Sequence, residues 1–178
     1  FLSITFIPIF ARYVSQGKDK EGFAVFSMVF NGFGLILAAG IGAAMIWTPF
    51  FVGILAPGIQ DAATCDLAVR MTRIILPAQF FFFAGGLFMA VQFAKEKFFI
   101  PALAPLIYNL GIICGGILLY PYLGMEAFAW GVLAGAFAGN FLLQWAGAKK
   151  LGLRHCFILN FFHPDFKRYV HVTLPFMV

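Results

Sequence analysis

The stretch FFIPALAPLIYNLGIICGGILLYPYLGM, residues 98–125, decides the fold. It carries no charge, and its apolar residues run on without the alternation of a half-buried strand. About 20 apolar residues in a helix cross the ~30 Å hydrocarbon core of a bilayer, so this stretch is long enough to span it. Three more charge-free stretches of spanning length lie at 22–60, 74–94 and 127–148. Shorter ones lie at the ends, 1–11 and 169–178. Backbone polar groups cannot go unpaired in lipid, so the spans read as helices. A β-barrel is excluded because its strands alternate over ~10 residues. The composition agrees: of 178 residues 62% are apolar, 11% are charged and 25 are Phe, and mean hydropathy is +0.94. Soluble domains are about 45–50% apolar and about 25% charged. A water-soluble fold and disorder are both excluded. The net charge of +5 does not make a nucleic-acid binder, because 12 Lys and Arg separated by apolar runs form no broad basic face.

The predicted fold class is therefore all-α: a polytopic transmembrane helix bundle with a half helix, four full spans and the start of another. The first full span covers residues 22–47, closed by Pro49 and the Ala56-Pro57-Gly58 turn, with residues 50–55 at the membrane surface. No charged n-region or small-residue cleavage site marks residues 1–10 as a signal peptide, and the chain reads as an internal piece of a longer protein. The Lys/Arg count gives the orientation. The connections at 12–21, 95–97 and 149–168 hold ten, and those at 49–73 and 121–126 hold two, which puts the first set in the cytoplasm. Residues 149–168 alternate charge with Leu151, Leu153, Phe157, Ile158, Phe161 and Phe162. They read as an interfacial amphipathic segment or a plain basic loop.

Lipid gives helices no hydrophobic reason to associate, so small and polar residues mark packed faces. Ser27, Asn31, Gly34, Ala38 and Gly42 recur on one face of the first span and are expected to point inward. Phe26, Phe30, Phe33 and Leu37 recur on another and are expected to face lipid. Ala127, Gly131, Gly135 and Gly139 repeat every four residues, a ridge suited to close helix packing. The polar residues at membrane depth are Asn31, Gln79, Gln92, Asn109, Asn140 and Gln144, which need partners in protein or a wet cavity. Asn31, Gln79 and Asn109, with Arg73 at an outer entrance, are the candidates for lining a substrate path. Asn109 follows Pro101 and Pro105, whose missing N–H groups disturb the helix there.

No ionisable residue lies near the centre of a full span, so no buried proton relay is visible. No P-loop, HExxH or GxSxG motif is present. Glu126 stands alone and no carboxylates pair, which disfavours an enzyme. Cys65, Cys114 and Cys156 fall on the outer side, within the bilayer and on the cytoplasmic side, too far apart for structural disulfides. His155, Cys156 and His163 fit no zinc spacing and read as interfacial, so neither a metal nor a cofactor is expected.

Several strings, in order and at matching intervals, resemble the lipid II flippase family (MviN/MurJ-like) of the multidrug/oligosaccharidyl-lipid/polysaccharide exporter superfamily. They are Phe6-Ile7-Pro8-Ile9-Phe10 with Tyr13, Leu55-Ala56-Pro57-Gly58, and Thr72-Arg73-Ile74-Ile75-Leu76-Pro77. Further along come Phe99-Ile100-Pro101-Ala102-Leu103-Ala104-Pro105 with Asn109, Ala129-Trp130-Gly131-Val132 with Gly135, and Lys149-Lys150-Leu151-Gly152. The resemblance implies a fourteen-helix, two-lobed transporter. Residues 1–148 would be a partial first lobe, from the end of helix 2 through helix 6. Residues 149–168 would be the cytoplasmic inter-lobe connection and 169–178 the start of helix 7. It implies a flippase of the bacterial cytoplasmic (inner) membrane that moves a polyprenyl-pyrophosphate-linked precursor by alternating access, with cell-wall synthesis proteins as possible partners. Another superfamily transporter, an O-antigen flippase or a drug/cation antiporter, is the alternative, and a non-transporting scaffold stays open. The resemblance also implies that the family's essential cationic residues lie mainly outside these 178 positions.

Overall fold

The structure, a computed structural model, describes residues 2–59, 61–157 and 169. It is helical: α1 (Leu2–Ser15), α2 (Asp19–Ile46), α3 (Thr48–Leu55), α4 (Ala62–Ile75), α5 (Ala78–Ala94), α6 (Phe99–Leu123), α7 (Glu126–Gly135), a π-helical segment (Ala136–Leu142) and α8 (Leu143–Lys150). Four helical units are long and apolar enough to cross a membrane: Asp19–Ile46, Ala62–Ala94, Phe99–Leu123 and Glu126–Lys150. The turns at residues 16–18, 95–98 and 151–152 cluster at one end, called the basic end for its lysines, and the others lie at the far end.

Local chemistry explains the boundaries. Asp19 and Glu21 occupy the first turn of α2, where carboxylates offset the helix dipole. The Thr48 hydroxyl, 2.7 Å from the Ala44 carbonyl and 3.0 Å from that of Met45, covers the other end of α2. Pro49 in the first turn of α3 starts the new helix at no cost in hydrogen bonds. The far-end connection, read from sequence as a loop over 49–73, is mostly helical. Asp61 caps α4 by accepting from the Thr64 N–H at 2.9 Å and the Thr64 hydroxyl at 2.6 Å. These bonds hold its carboxyl below the usual carboxylate range. At about 1.5 Å per residue the 33-residue unit Ala62–Ala94 is far longer than a bilayer core, so the start of α4 projects beyond it. Pro77 separates α4 from α5.

Two seams hold the bundle together. In the first, α1, α2 and α5 enclose aromatic rings. Phe26, fully buried, stands 5.8 Å from Phe88 and 5.9 Å from Phe6 (centroids). Phe30 stacks on Phe88 at 5.7 Å, and Phe33 meets the buried Tyr169 ring at 5.4 Å. This corrects the expectation that Phe26, Phe30 and Phe33 face lipid. Stacked and edge-to-face rings fill space and attract one another, so a phenylalanine stripe can serve as core. The neighbouring face of α2, about 100° round the helix, is buried at Ser27, Asn31 and Gly34, but Ala38 and Gly42 are exposed. Thus α2 is enclosed near the basic end and bare near the far end.

In the second seam α6 lies against α7. A Cβ on Gly135 would stand 2.5 Å from the Tyr108 carbonyl oxygen, one on Gly131 2.9 Å from that of Gly111, and one on Gly139 2.9 Å from that of Ala104. Gly111 and Gly115 answer from α6, where added Cβ atoms would collide with the Cα atoms of Gly135 and Gly131. The other side of α6 exposes Leu106, Leu110, Ile113 and Ile117, an apolar face suited to lipid. The proposed amphipathic character beyond residue 157, His163 and the start of helix 7 lie outside the described residues, apart from Tyr169.

Candidate functional site

Asn31 is the candidate most embedded in polar contacts. It sits on α2 and is 9% exposed. Its Nδ2 donates to the Cys156 carbonyl at 3.1 Å, and its Oδ1 lies 2.9 Å from His155 Nε2. Since Oδ1 only accepts, His155 Nε2 is the donor in this contact. One turn earlier, Ser27 Oγ accepts from the Cys156 N–H at 3.1 Å and donates to the Phe23 carbonyl at 2.8 Å. The His155 ring meets Phe30 edge-on at 5.3 Å. The segment after α8 is therefore tied across α2 by three polar contacts and one ring contact. Beside it a groove of about 240 Å³ is lined by Phe30, Asn31, Gly34, Ala38, Phe80 and Phe157. Sequence reasoning placed His155 and Cys156 at an interface and missed this docking. No signal in a linear pattern relates residue 155 to residue 31.

The other candidates do not join it. Arg73 is exposed at the far end, and its Nε donates to the Met45 carbonyl at 3.1 Å. A cation on the last carbonyls of α2 complements the negative end of that helix. Gln79 is exposed in the first turn of α5. Asn109 is exposed on α6, which packs on α7, the π segment and α8, and its amide makes no hydrogen bond among the described residues. Gly131, Gly135 and Gly139 lie in the α6–α7 seam. Glu126, expected to stand alone, accepts from Arg70 Nε at 2.6 Å, because the α4 helix brings Arg70 to the start of α7.

The basic end is locked by polar groups. Lys95 Nζ meets Asp19 Oδ2 at 2.5 Å and the Leu151 carbonyl at 3.2 Å, and lies 5.4 Å from the Phe23 ring centroid. It joins the start of α2, the end of α5 and the segment after α8. Deeper in, Gln92 Nε2 donates to Gln144 Oε1 at 3.0 Å, and Gln144 Nε2 donates to the carbonyls of Ile100 at 3.1 Å and Gly139 at 3.3 Å. Both amides are buried, 1% and 0% exposed, and their mutual bonds satisfy groups that lipid could not. No group of three His, Cys, Asp or Glu among the described residues could hold a metal ion.

The whole chain, residues 1–178, matches the family profile described as lipid II flippase MurJ. The chain belongs to the MurJ family. It is 31% identical over 183 residues to the lipid II flippase MurJ of Burkholderia cenocepacia, an alignment covering 97% of this chain and 35% of that protein. It is 28% identical over 136 residues to the probable lipid II flippase MurJ of Aquifex aeolicus, covering 73% of this chain and 26% of that protein. A solved structure described as lipid II flippase MurJ in an inward closed conformation superposes with a TM-score of 0.72 at 24% identity, covering 98% of this chain and 37% of that one. This likeness shows that the helices take the MurJ arrangement. The chain spans about a third of the length of these MurJ relatives. With its four spans it is a multi-pass protein of the bacterial inner membrane.

Proposed function

We propose that this chain is the larger part of the first lobe of a flippase that carries lipid II across the bacterial inner membrane by alternating access. The observation that carries the reading is the match of all 178 residues to the MurJ family profile, which favours it over an O-antigen flippase or a drug/cation antiporter. Residues 1–148 would form the lobe, 149–168 the link and 169–178 the start of the next lobe's first helix. The lysine-rich end would face the cytoplasm. The substrate, a polyprenyl pyrophosphate with a large polar head, cannot cross lipid unaided, because a charged group in hydrocarbon is very costly. A cavity between two lobes replaces the lost hydration, and the lobes rock largely as rigid bodies. This lobe is built for that part, with no charge near the middle of its spans and clasped helices at its basic end. Its work is transport rather than bond chemistry, and cell-wall synthesis proteins are its natural partners.

The test is depletion of the full-length protein in its host, followed by an assay of lipid II in the outer leaflet. Loss of exposed lipid II is the expected result, and unchanged exposure would sink the reading.

A further inference from the structure

The segment after α8 enters the membrane span without being a helix. Leu151, whose carbonyl accepts from Lys95, stands level with Asp19 at the start of α2. Cys156 is bonded to Ser27 and Asn31. Those two lie about 7 and 13 Å along α2 from Gly22, where its charge-free run begins, at ~1.5 Å per residue. Residues 153–157, which make this climb, hold no helical turn. Non-helical backbone at membrane depth survives only where protein buries it or where it lines a water-filled cavity.

Two features decide for water. The first is the backbone. The N–H and C=O groups of Arg154 and His155 make no hydrogen bond among the described residues, and both residues are exposed. The second is the charge. Arg154 belongs to no ion pair among the described residues, and no Asp or Glu occurs between Glu126 and Phe157. A guanidinium always carries its charge, and in hydrocarbon or a dry interface it needs a partner.

The side chains sort accordingly. Leu153 packs on the ring cluster of α1, α2 and α5, His155 meets Asn31 and Phe30, and Phe157 lines the groove of about 240 Å³. Arg154 and Cys156, set between them, are exposed. The bonds of Cys156 and His155 to α2 hold the backbone beside Arg154, so its guanidinium is presented from a fixed segment rather than a free loop. Beyond it the same face of α2 continues with Gly34 and Ala38, whose small side chains leave room for a bulky group.

We propose that residues 153–157 form part of the wall of the water-filled substrate path, and that Arg154 binds the diphosphate of the lipid-linked substrate there. The planar fork of a guanidinium matches phosphate oxygens two at a time, which a lysine cannot do. The inference rests on the flippase reading above and adds to it one cation of this chain that touches the substrate.

The test uses the full-length protein with Cys156 as its sole cysteine. In inverted membrane vesicles, which expose the cytoplasmic side, an impermeant anionic thiosulfonate is expected to label Cys156, and added polyprenyl diphosphate to slow the labelling. Arg154→Gln is expected to slow the anionic reagent about fivefold relative to a cationic one, because a neighbouring positive charge is gone. In purified protein, polyprenyl diphosphate is counted by native mass spectrometry. Arg154→Gln is expected to bind it about tenfold more weakly, the loss of a charge-assisted hydrogen bond, and Arg154→Lys to lose less, which separates a lost charge from a displaced segment. Phosphatidylglycerol at the same concentration is expected not to displace it. Absence of Cys156 labelling from either side overturns the proposal, since the segment would then be sealed in protein. So does wild-type binding by Arg154→Gln, or displacement by phosphatidylglycerol. Labelling and binding are measured without transport, so failure here and failure of the flippase reading are told apart.

Discussion

The two seams of the bundle solve one packing problem in opposite ways. Between α1, α2 and α5 the space is wide and filled with rings, as where Phe26 stacks on Phe88 and abuts Phe6. Between α6 and α7 there is almost no space, and glycines bring backbone against backbone, as where Gly135 meets Tyr108. In water both would be driven by burial of apolar surface, but in lipid that force is absent and dispersion contact must suffice. Rings reach contact through volume and glycines reach it through approach. The ring seam should therefore tolerate changes of shape, and the glycine seam should tolerate none.

The sharpest test is Gly135→Leu. Its Cβ alone would stand 2.5 Å from a backbone oxygen, which cannot swing aside. A destabilisation of about 3 kcal/mol or more is expected, read as loss of folded full-length protein in a thermal-unfolding assay. Wild-type stability in that variant would show that the α6–α7 seam opens easily and would end the contrast. Next comes the amide pair that fastens α5 to α8. Gln92→Leu leaves Gln144 short of a partner and should cost about 1–3 kcal/mol. The double variant Gln92→Leu/Gln144→Leu should cost less than the sum of the two single changes, which a double-mutant cycle measures. Phe26→Leu in the ring seam should cost only about 1 kcal/mol, since an apolar side chain of similar size can repack. A larger loss than that of Gly135→Leu would invert the comparison. The smallest effect is expected at Asp61, outside both seams. Its carboxyl titrates below the usual range, so the α4 cap is in place above the ordinary carboxylate pKa and is lost as pH falls through the lowered value. The protection factor of the Thr64 amide against hydrogen exchange, taken relative to the intrinsic rate at each pH, should fall in acid while those of the α6 and α7 amides are unchanged.

The spans were legible because lipid enforces two simple demands, apolar length and internally paired backbone. The four-residue repeat at Gly131, Gly135 and Gly139 was legible as a ridge, since a missing side chain shows directly in a sequence. The orientation of the α2 phenylalanines was not, because a ring suits lipid and a ring cluster equally well, and only the neighbours Phe6 and Phe88 decide. The α4 helix went unread because Asp61, Asp66, Arg70 and Arg73 made its segment look like a loop, although the Asp61-Ala62-Ala63-Thr64 start carries a helix-capping pattern. At the candidate site Asn31 could be singled out as polar within a span. Its partners His155 and Cys156 could not, being more than 120 positions away.

The π-helical segment Ala136–Leu142 has a consequence for reading the last span. A π turn holds about one residue more than an α turn, so every side chain beyond it is rotated by roughly 100° from the helical wheel drawn before it. The ridge Ala127, Gly131, Gly135, Gly139 would continue to Leu143. Instead Gln144 is the fully buried residue, with its amide on the Ile100 carbonyl of α6. Gly147 and Ala148 follow it inward. The span thus has two angular phases, one that sets glycines against α6 and one that turns an amide toward Gln92 of α5 and the start of α6.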